Sequence, residues 1–311
     1  MARPAATLLI LLTAAACTHG RAPVAGTAGA VGRSVGVNVV PVGFPSARTT
    51  GVPVGTLLSS SGDIVVRKAG TVLDRLDIVG CVTVRADHVV IRRSRIRCAG
   101  VPGIWPVRVY AGVRDVLVED TEIDGAGVAT VAVQGDNYTL RRVNIHDAID
   151  GPRLGSGTVV EDSYIHDLTH LPGTHNDTLQ TIGGHHIRVS HNTLLAYNAV
   201  TDDPNNAAIQ TGRLHSPLSD MLVEGNYMDG GSYTVRGGSG PRDRALISRY
   251  VFRHNTFGHD CGFGPVNGID APVTWDPTNH WIDSPLPLTS DSKINRTGCH
   301  KSGSRLARRG R

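Results

Sequence analysis

An eight-residue phrase returns eight times between residues 71 and 257, and it limits the possible folds more than any other feature of the chain. The copies are TVLDRLDI (71–78), VVIRRSRI (89–96), VLVEDTEI (116–123), YTLRRVNI (138–145), TVVEDSYI (158–165), IRVSHNTL (187–194), MLVEGNYM (221–228) and YVFRHNTF (250–257). The third and eighth positions are apolar in every copy, from Leu73 and Ile78 to Phe252 and Phe257. Measured at the third position, the spacings are 18, 27, 22, 20, 29, 34 and 29 residues. A unit this small cannot bury its apolar face alone, but stacked on its neighbours it builds a continuous core, as in a solenoid. Short β-branched runs bounded by Gly, Asp and Asn read as strands, and no segment carries a sustained 3.6-residue stripe. With 37 Gly and 17 Pro among 311 residues, the chain is punctuated too often for long helices. The expected fold is all-β, a parallel β-helix of about eight coils spaced about 4.8 Å apart. An antiparallel sandwich gives no reason for one phrase to recur in phase. At the sixth position Ser94, Thr121 and Ser163 give way to Asn192, Asn226 and Asn255, the makings of an amide ladder at one bend.

Residues 1–16 read as a secretory signal: Arg3, an apolar run, then Ala14-Ala15-Ala16. Cys17 sits where a lipoprotein would be acylated, with simple cleavage before a bystander cysteine as the alternative. Residues 17–42, rich in Gly, Ala, Val and Pro, read as a flexible tether. The β-helix domain is expected over 43–299 and a loose basic tail over 300–311. The net charge of +4 falls to +3 without Arg3, and the five basic residues of the tail leave −2 on the body. The basic character is therefore terminal, and scarce aromatics argue against nucleic acid as a partner. Of the remaining cysteines, Cys81 and Cys98 fall almost in register on adjacent coils, within the reach of a disulfide. Cys261 and Cys299 would then staple the end of the chain to the last coil. The spacings fit no zinc signature. The protein is expected to be secreted or held at the cell surface, meeting a membrane only through a lipid anchor. As a solenoid it should stand as a monomer.

A second ladder precedes the phrases: Val131-Ala-Val-Gln134, Asp150-Gly-Pro-Arg153, Asp177-Thr-Leu-Gln180 and Ala207-Ala-Ile-Gln210. Gln134, Arg153, Gln180 and Gln210 would form one outward polar column suited to a polyhydroxyl or polyanionic chain. Asp150 would lie beside Asp177, and carboxylates one coil apart repel unless a cation or a proton intervenes. They are an expected Ca²⁺ or acid–base pair, with Asp147 and Asp167 as the alternative. Seven of the 14 histidines lie between His146 and His191. His146-Asp147 and His166-Asp167 occupy equivalent places in successive units, while His175 and Asp177 are read as sharing one strand face. Tyr233 is a candidate sugar-stacking platform, with turn packing as the alternative.

The repeat, and the opening segment GFPSARTTGVPVGT (43–56), resemble the pectate-lyase-like superfamily of right-handed parallel β-helices over roughly residues 43–268. That resemblance implies a right-handed helix and a polysaccharide substrate. Its lyases cleave a 4-linked uronate by β-elimination, which needs a clamp for the C6 carboxylate, a base for the C5 proton and a proton for the leaving oxygen. Carried onto this chain, Asp150 and Asp177 would hold Ca²⁺ through hard oxygens. Arg153 would clamp the carboxylate or act as base, and His175 is the more conventional base at neutral pH. Gln134, Gln180, Gln210, Tyr233, His146 and His166 would bind sugars. The family's paired-arginine motif and full aspartate set are not found here. None of the three lysines, Lys68, Lys293 and Lys301, lies near the groove. A glycoside hydrolase using the same carboxylates, a uronate epimerase and a non-catalytic glycan-binding solenoid remain open alternatives.

Overall fold

A computed structural model describes residues 38–100, 104–238, 240–291 and 296–299. The expected leader, Cys17 with its acylation, residues 17–37 of the tether and the basic tail lie outside the described residues. What is described is a right-handed parallel β-helix. Every strand pairing in its sheets is parallel. A nine-stranded sheet carries the first half of each phrase, running from Val72–Asp74 to Val273–Trp275. A ten-stranded sheet carries the second half, from Ser59–Ser61 to His280–Trp281. The third face consists of a four-stranded sheet ending at Val133–Gln134 and a five-stranded sheet starting at Arg153–Leu154. A parallel bridge from Val131 to Asp150 joins the two.

The phrase sets the register. Its third positions align from Leu73 against Ile91 through Val118, Leu140, Val160, Val189 and Val223 to Phe252. The eighth positions stack likewise, and Ile78, Ile96, Ile123, Ile145, Ile165, Leu194, Met228 and Phe257 are fully buried. Each phrase is framed by two left-handed residues: the one before it (His88, Asp115, Asn137) and its own fifth residue (Arg93, Asp120, Arg142), with φ between 48° and 58° in these copies. A left-handed non-glycine costs roughly 1–2 kcal/mol but turns the chain sharply. Its side chain leaves the core, which is why the fifth position tolerates Arg, Asp, His or Gly.

The Asn ladder forms as expected. Asn192 and Asn226 each donate from both backbone and side chain to the amide oxygen one coil below, at 2.9–3.1 Å, and Asn255 donates in the same way to Asn279. Asn279 belongs to a ninth copy whose second strand aligns Trp281, not His280, with Phe257. That one-residue insertion hid the copy from the sequence pattern. In the upper coils, hydroxyls do the same work: Ser163 Oγ accepts from Val143 N at 3.1 Å and donates to Glu161 O at 2.7 Å.

Both expected disulfides are present, with Cα separations of 4.9 Å for Cys81–Cys98 and 5.2 Å for Cys261–Cys299. Packing begins earlier in the chain than residue 43. Asn38 donates to Asp167 at 3.1 Å, and Val40 and Phe44 pack on Tyr164, Leu195 and Tyr227 of the ten-stranded sheet. Among the described residues, no helix is long and apolar enough to cross a membrane.

Candidate functional site

Charges on the nine-stranded sheet neutralise one another between coils. Asp74 meets Arg92 and Arg93, Arg142 bonds Asp120 at 2.7 Å, Arg141 bonds Glu161 at 2.6 Å, and Glu224 receives Arg188 and Arg253. The ten-stranded sheet behaves alike: Arg95 lies between Asp77 and Glu122, and Arg97 lies 3.5 Å from Asp124. These ladders hold coils together and leave little to offer a ligand.

His146 and His166 belong to this second set. His146 lies 2.7 Å from Asp147 and 3.5 Å from Glu122. Burial opposes its charge, but the two carboxylates outweigh it and lift its pKa to about 10. The Asp124, His146 and Asp147 ligand atoms are close enough to hold a metal ion, yet a protonated imidazole already balances these acids. His166 stacks on Tyr164 at 3.9 Å, donates to Asn144 Oδ1 (2.9 Å) and bonds Asp167 (2.5 Å). Burial holds its pKa below the usual value. Asp167 is further tied to Asn38 and to Ala199 N. Asp147 and Asp167 meet through a backbone bond only, each carboxylate turned to its own histidine, so the structure does not join them as a cation pair. His146 ends a strand of the ten-stranded sheet and His166 directly follows the next, while the polar column sits on the third face.

The third face does assemble the column. Arg153 aligns with Gln180 and Gln180 with Gln210, while the Val131–Asp150 bridge sets Gln134 above Arg153. Sequence reasoning missed its extension: Arg108 aligns with Gln134, and Arg236 and Asn267 continue it below Gln210. The outward alternation of each strand was the available signal.

Asp150 and Asp177 lie on neighbouring coils, joined by Asp177 N donating to Asp150 Oδ1 at 3.1 Å. Asp150 is 9% exposed and Asp177 1%. Gln180 Nε2 donates to Asp177 Oδ2 at 2.8 Å, and Asn206 Nδ2 to its Oδ1 at 2.6 Å. Asn206, not anticipated from the sequence, also accepts from Arg236 at 3.3 Å. Arg153 lies 3.5 Å from Asp150 Oδ2, and its buried Nε finds no acceptor among the described residues. Burial first, and then the Asp177 charge, raise Asp150 to a pKa of about 7, against the pull of Asp177 N and Arg153. Burial also raises Asp177, with Asn206 and Gln180 opposing. Both carboxyls of the pair are thus held above the ordinary carboxylate range.

His175 is not on the strand, which starts at Asp177; it is exposed on the preceding loop, close enough for its charge to act on Asp177. Tyr233 opens the strand Tyr233–Arg236, its ring 5.8 Å from the exposed Phe263 and 5.8 Å from the Arg236 guanidinium. Ca²⁺ requires several oxygen ligands directed at one point. Here amide and guanidinium N–H groups surround both carboxylates, a donor set that does not fit a resident cation and does fit an anionic or hydroxyl-bearing ligand. No protein-family model, curated protein or solved structure matches this chain.

Proposed function

We propose that the third face binds a uronate-containing polysaccharide and cleaves it by β-elimination, in the manner of the pectate-lyase-like proteins that the repeat resembles. The observation that carries this reading is Asp150, a buried carboxyl with a pKa of about 7 set beside Arg153 and within a column of amides. A pKa near the working pH is what a general acid needs. Arg153, whose Nε has no acceptor among the described residues, would take the C6 carboxylate. His175 would remove the C5 proton. The C4–O bond then breaks, the C4–C5 double bond forms, and the Asp150 proton goes to the departing oxygen. Gln134, Gln180 and Gln210 would orient sugars along the column, with Tyr233 at its lower rim. Asp177, held by Gln180 and Asn206, would favour the protonated form of Asp150 when it is itself ionised.

The test is ultraviolet absorbance of the unsaturated product across a panel of uronate polymers, with Asp150→Asn and His175→Ala alongside. Absorbance that rises with wild type and is lost in both variants supports the reading. A flat trace on every polymer sinks it. A specific observation favours a second reading, glycoside hydrolysis: two buried carboxyls stand on neighbouring coils, joined by Asp177 N donating to Asp150 Oδ1. New reducing ends without unsaturation would select it.

A further inference from the structure

Arginines on the nine- and ten-stranded sheets are paired with acids, but two on the upper third face are not. Arg85 and Arg108 have no carboxylate within ion-pair reach among the described residues. They alternate with aromatic rings instead. The Arg85 guanidinium lies 4.0 Å from the Tyr110 ring and donates to the Tyr110 hydroxyl at 2.6 Å. The Arg108 guanidinium lies 4.4 Å from the Tyr110 ring and 4.5 Å from the Trp105 ring. A guanidinium held over an aromatic ring can still bond through its in-plane N–H groups, which is how arginine recognises carboxylate and sulfate oxygens.

Register puts this stack in line with the proposed site. Arg108 aligns with Gln134, and the Val131–Asp150 bridge sets Gln134 above Arg153, so Arg108 stands about 10 Å from Arg153 along the axis. We infer that the Arg85–Tyr110–Arg108–Trp105 stack is a distal subsite for the anionic groups of a long polysaccharide whose reacting segment lies at Asp150 and Asp177. The inference rests on the reading of the third face as the substrate face, but it does not require catalysis. A neutral glycan would leave two cations uncompensated on the bound surface. A nucleic acid would need open ring faces for its bases, whereas guanidinium groups already lie over the Tyr110 and Trp105 rings.

The experiment measures affinities of size-defined oligouronates, long and trimeric, for the wild type and for Arg85→Gln/Arg108→Gln. A wild-type preference for the long oligomer that falls at least tenfold in the double variant supports the subsite. The ratio weights the distal contact, because a trimer centred on the Asp150–Asp177 pair stops short of a stack about 10 Å away along the axis. An unchanged ratio overturns the inference, even if product forms. Single-stranded DNA binding as tightly as the long oligouronate overturns its assignment to glycan. Arginine-dependent length preference with no product from any polymer leaves the subsite standing and removes the catalytic reading instead.

Discussion

Replacing Asp150 with Asn should make the protein more stable at high pH while removing its acid. An aspartate with an ordinary pKa of 3.8 that is held at about 7 in the fold carries a cost once ionised. Between those values the native state binds more protons than the unfolded chain, so stability falls as pH rises. At about 1.4 kcal/mol per pH unit the full cost is about 4 kcal/mol, of which about 3 falls between pH 5 and pH 8. The amide in the Asp150→Asn variant would keep an oxygen to accept from Asp177 N and would not ionise. It would lose the attraction to Arg153, which lowers stability at every pH where wild-type Asp150 is charged. The change with pH is therefore the quantity to read. Urea unfolding of both proteins at pH 5 and pH 8 should show the gap moving in favour of Asp150→Asn by about 3 kcal/mol on going to pH 8. Turnover of uronate polymer should disappear in the same variant. A gap that stays constant, or moves towards wild type, refutes the argument: Asp150 would then be an ordinary or ion-paired carboxylate, and the acid would have to be sought elsewhere.

Asn226→Ala removes the acceptor for Asn192 N and the donor to Val189 O, and should cost about 2–5 kcal/mol in urea unfolding. Asn226→Ser should cost less, because Ser163 shows that a hydroxyl can cap the same bend, and an equal loss for both would count against the ladder. His146, raised from 6.5 to about 10, contributes stability that is full below pH 6.5 and lost as pH rises through about 10. Its imidazole resonances should stay those of the protonated ring from pH 6 to pH 8, and a midpoint near 6.5 would contradict the carboxylate cage. A chelator should leave polymer turnover unchanged, and loss of activity restored by Ca²⁺ would return Asp150 and Asp177 to the role of cation ligands.

The stacking of the coils was legible because apolar positions recur in phase, and phase is what a parallel register reads. Arg153, Gln180 and Gln210 were found the same way. Failures came where the period breaks. Asn279 was missed behind a one-residue insertion, and His175 was placed on a strand because alternation cannot tell a strand from the loop just before it. His146 and His166 were drawn into the site because recurrence does not say which face a residue joins. Their neighbours Asp147 and Asp167, left-handed at φ 54° and 45°, turn the chain from the ten-stranded sheet towards the third face, so the histidines stay behind on the former. Asn206 belongs to a non-repeating loop, where sequence carries no register at all.

The irregular loops also explain why the site lies where it does. The passage from the ten-stranded sheet to the third face takes three residues before Asp150 (147–149). The next coil takes eleven before Asp177 (166–176), and the one after takes ten before Ala207 (197–206). Extra loop length costs little in closure entropy, and the coils keep their spacing because the strands alone set it. The added residues must therefore leave the stack sideways, beside the third face. They carry His175 and Asn206, the two groups at the Asp pair that no ladder could supply. Short coils can stack but cannot raise a wall, and beside this pair the two longest of these passages supply it. Burial of Asp150 and Asp177, and with it the raised pKa, then follows from a loop that shields the end of a strand rather than from the repeat itself.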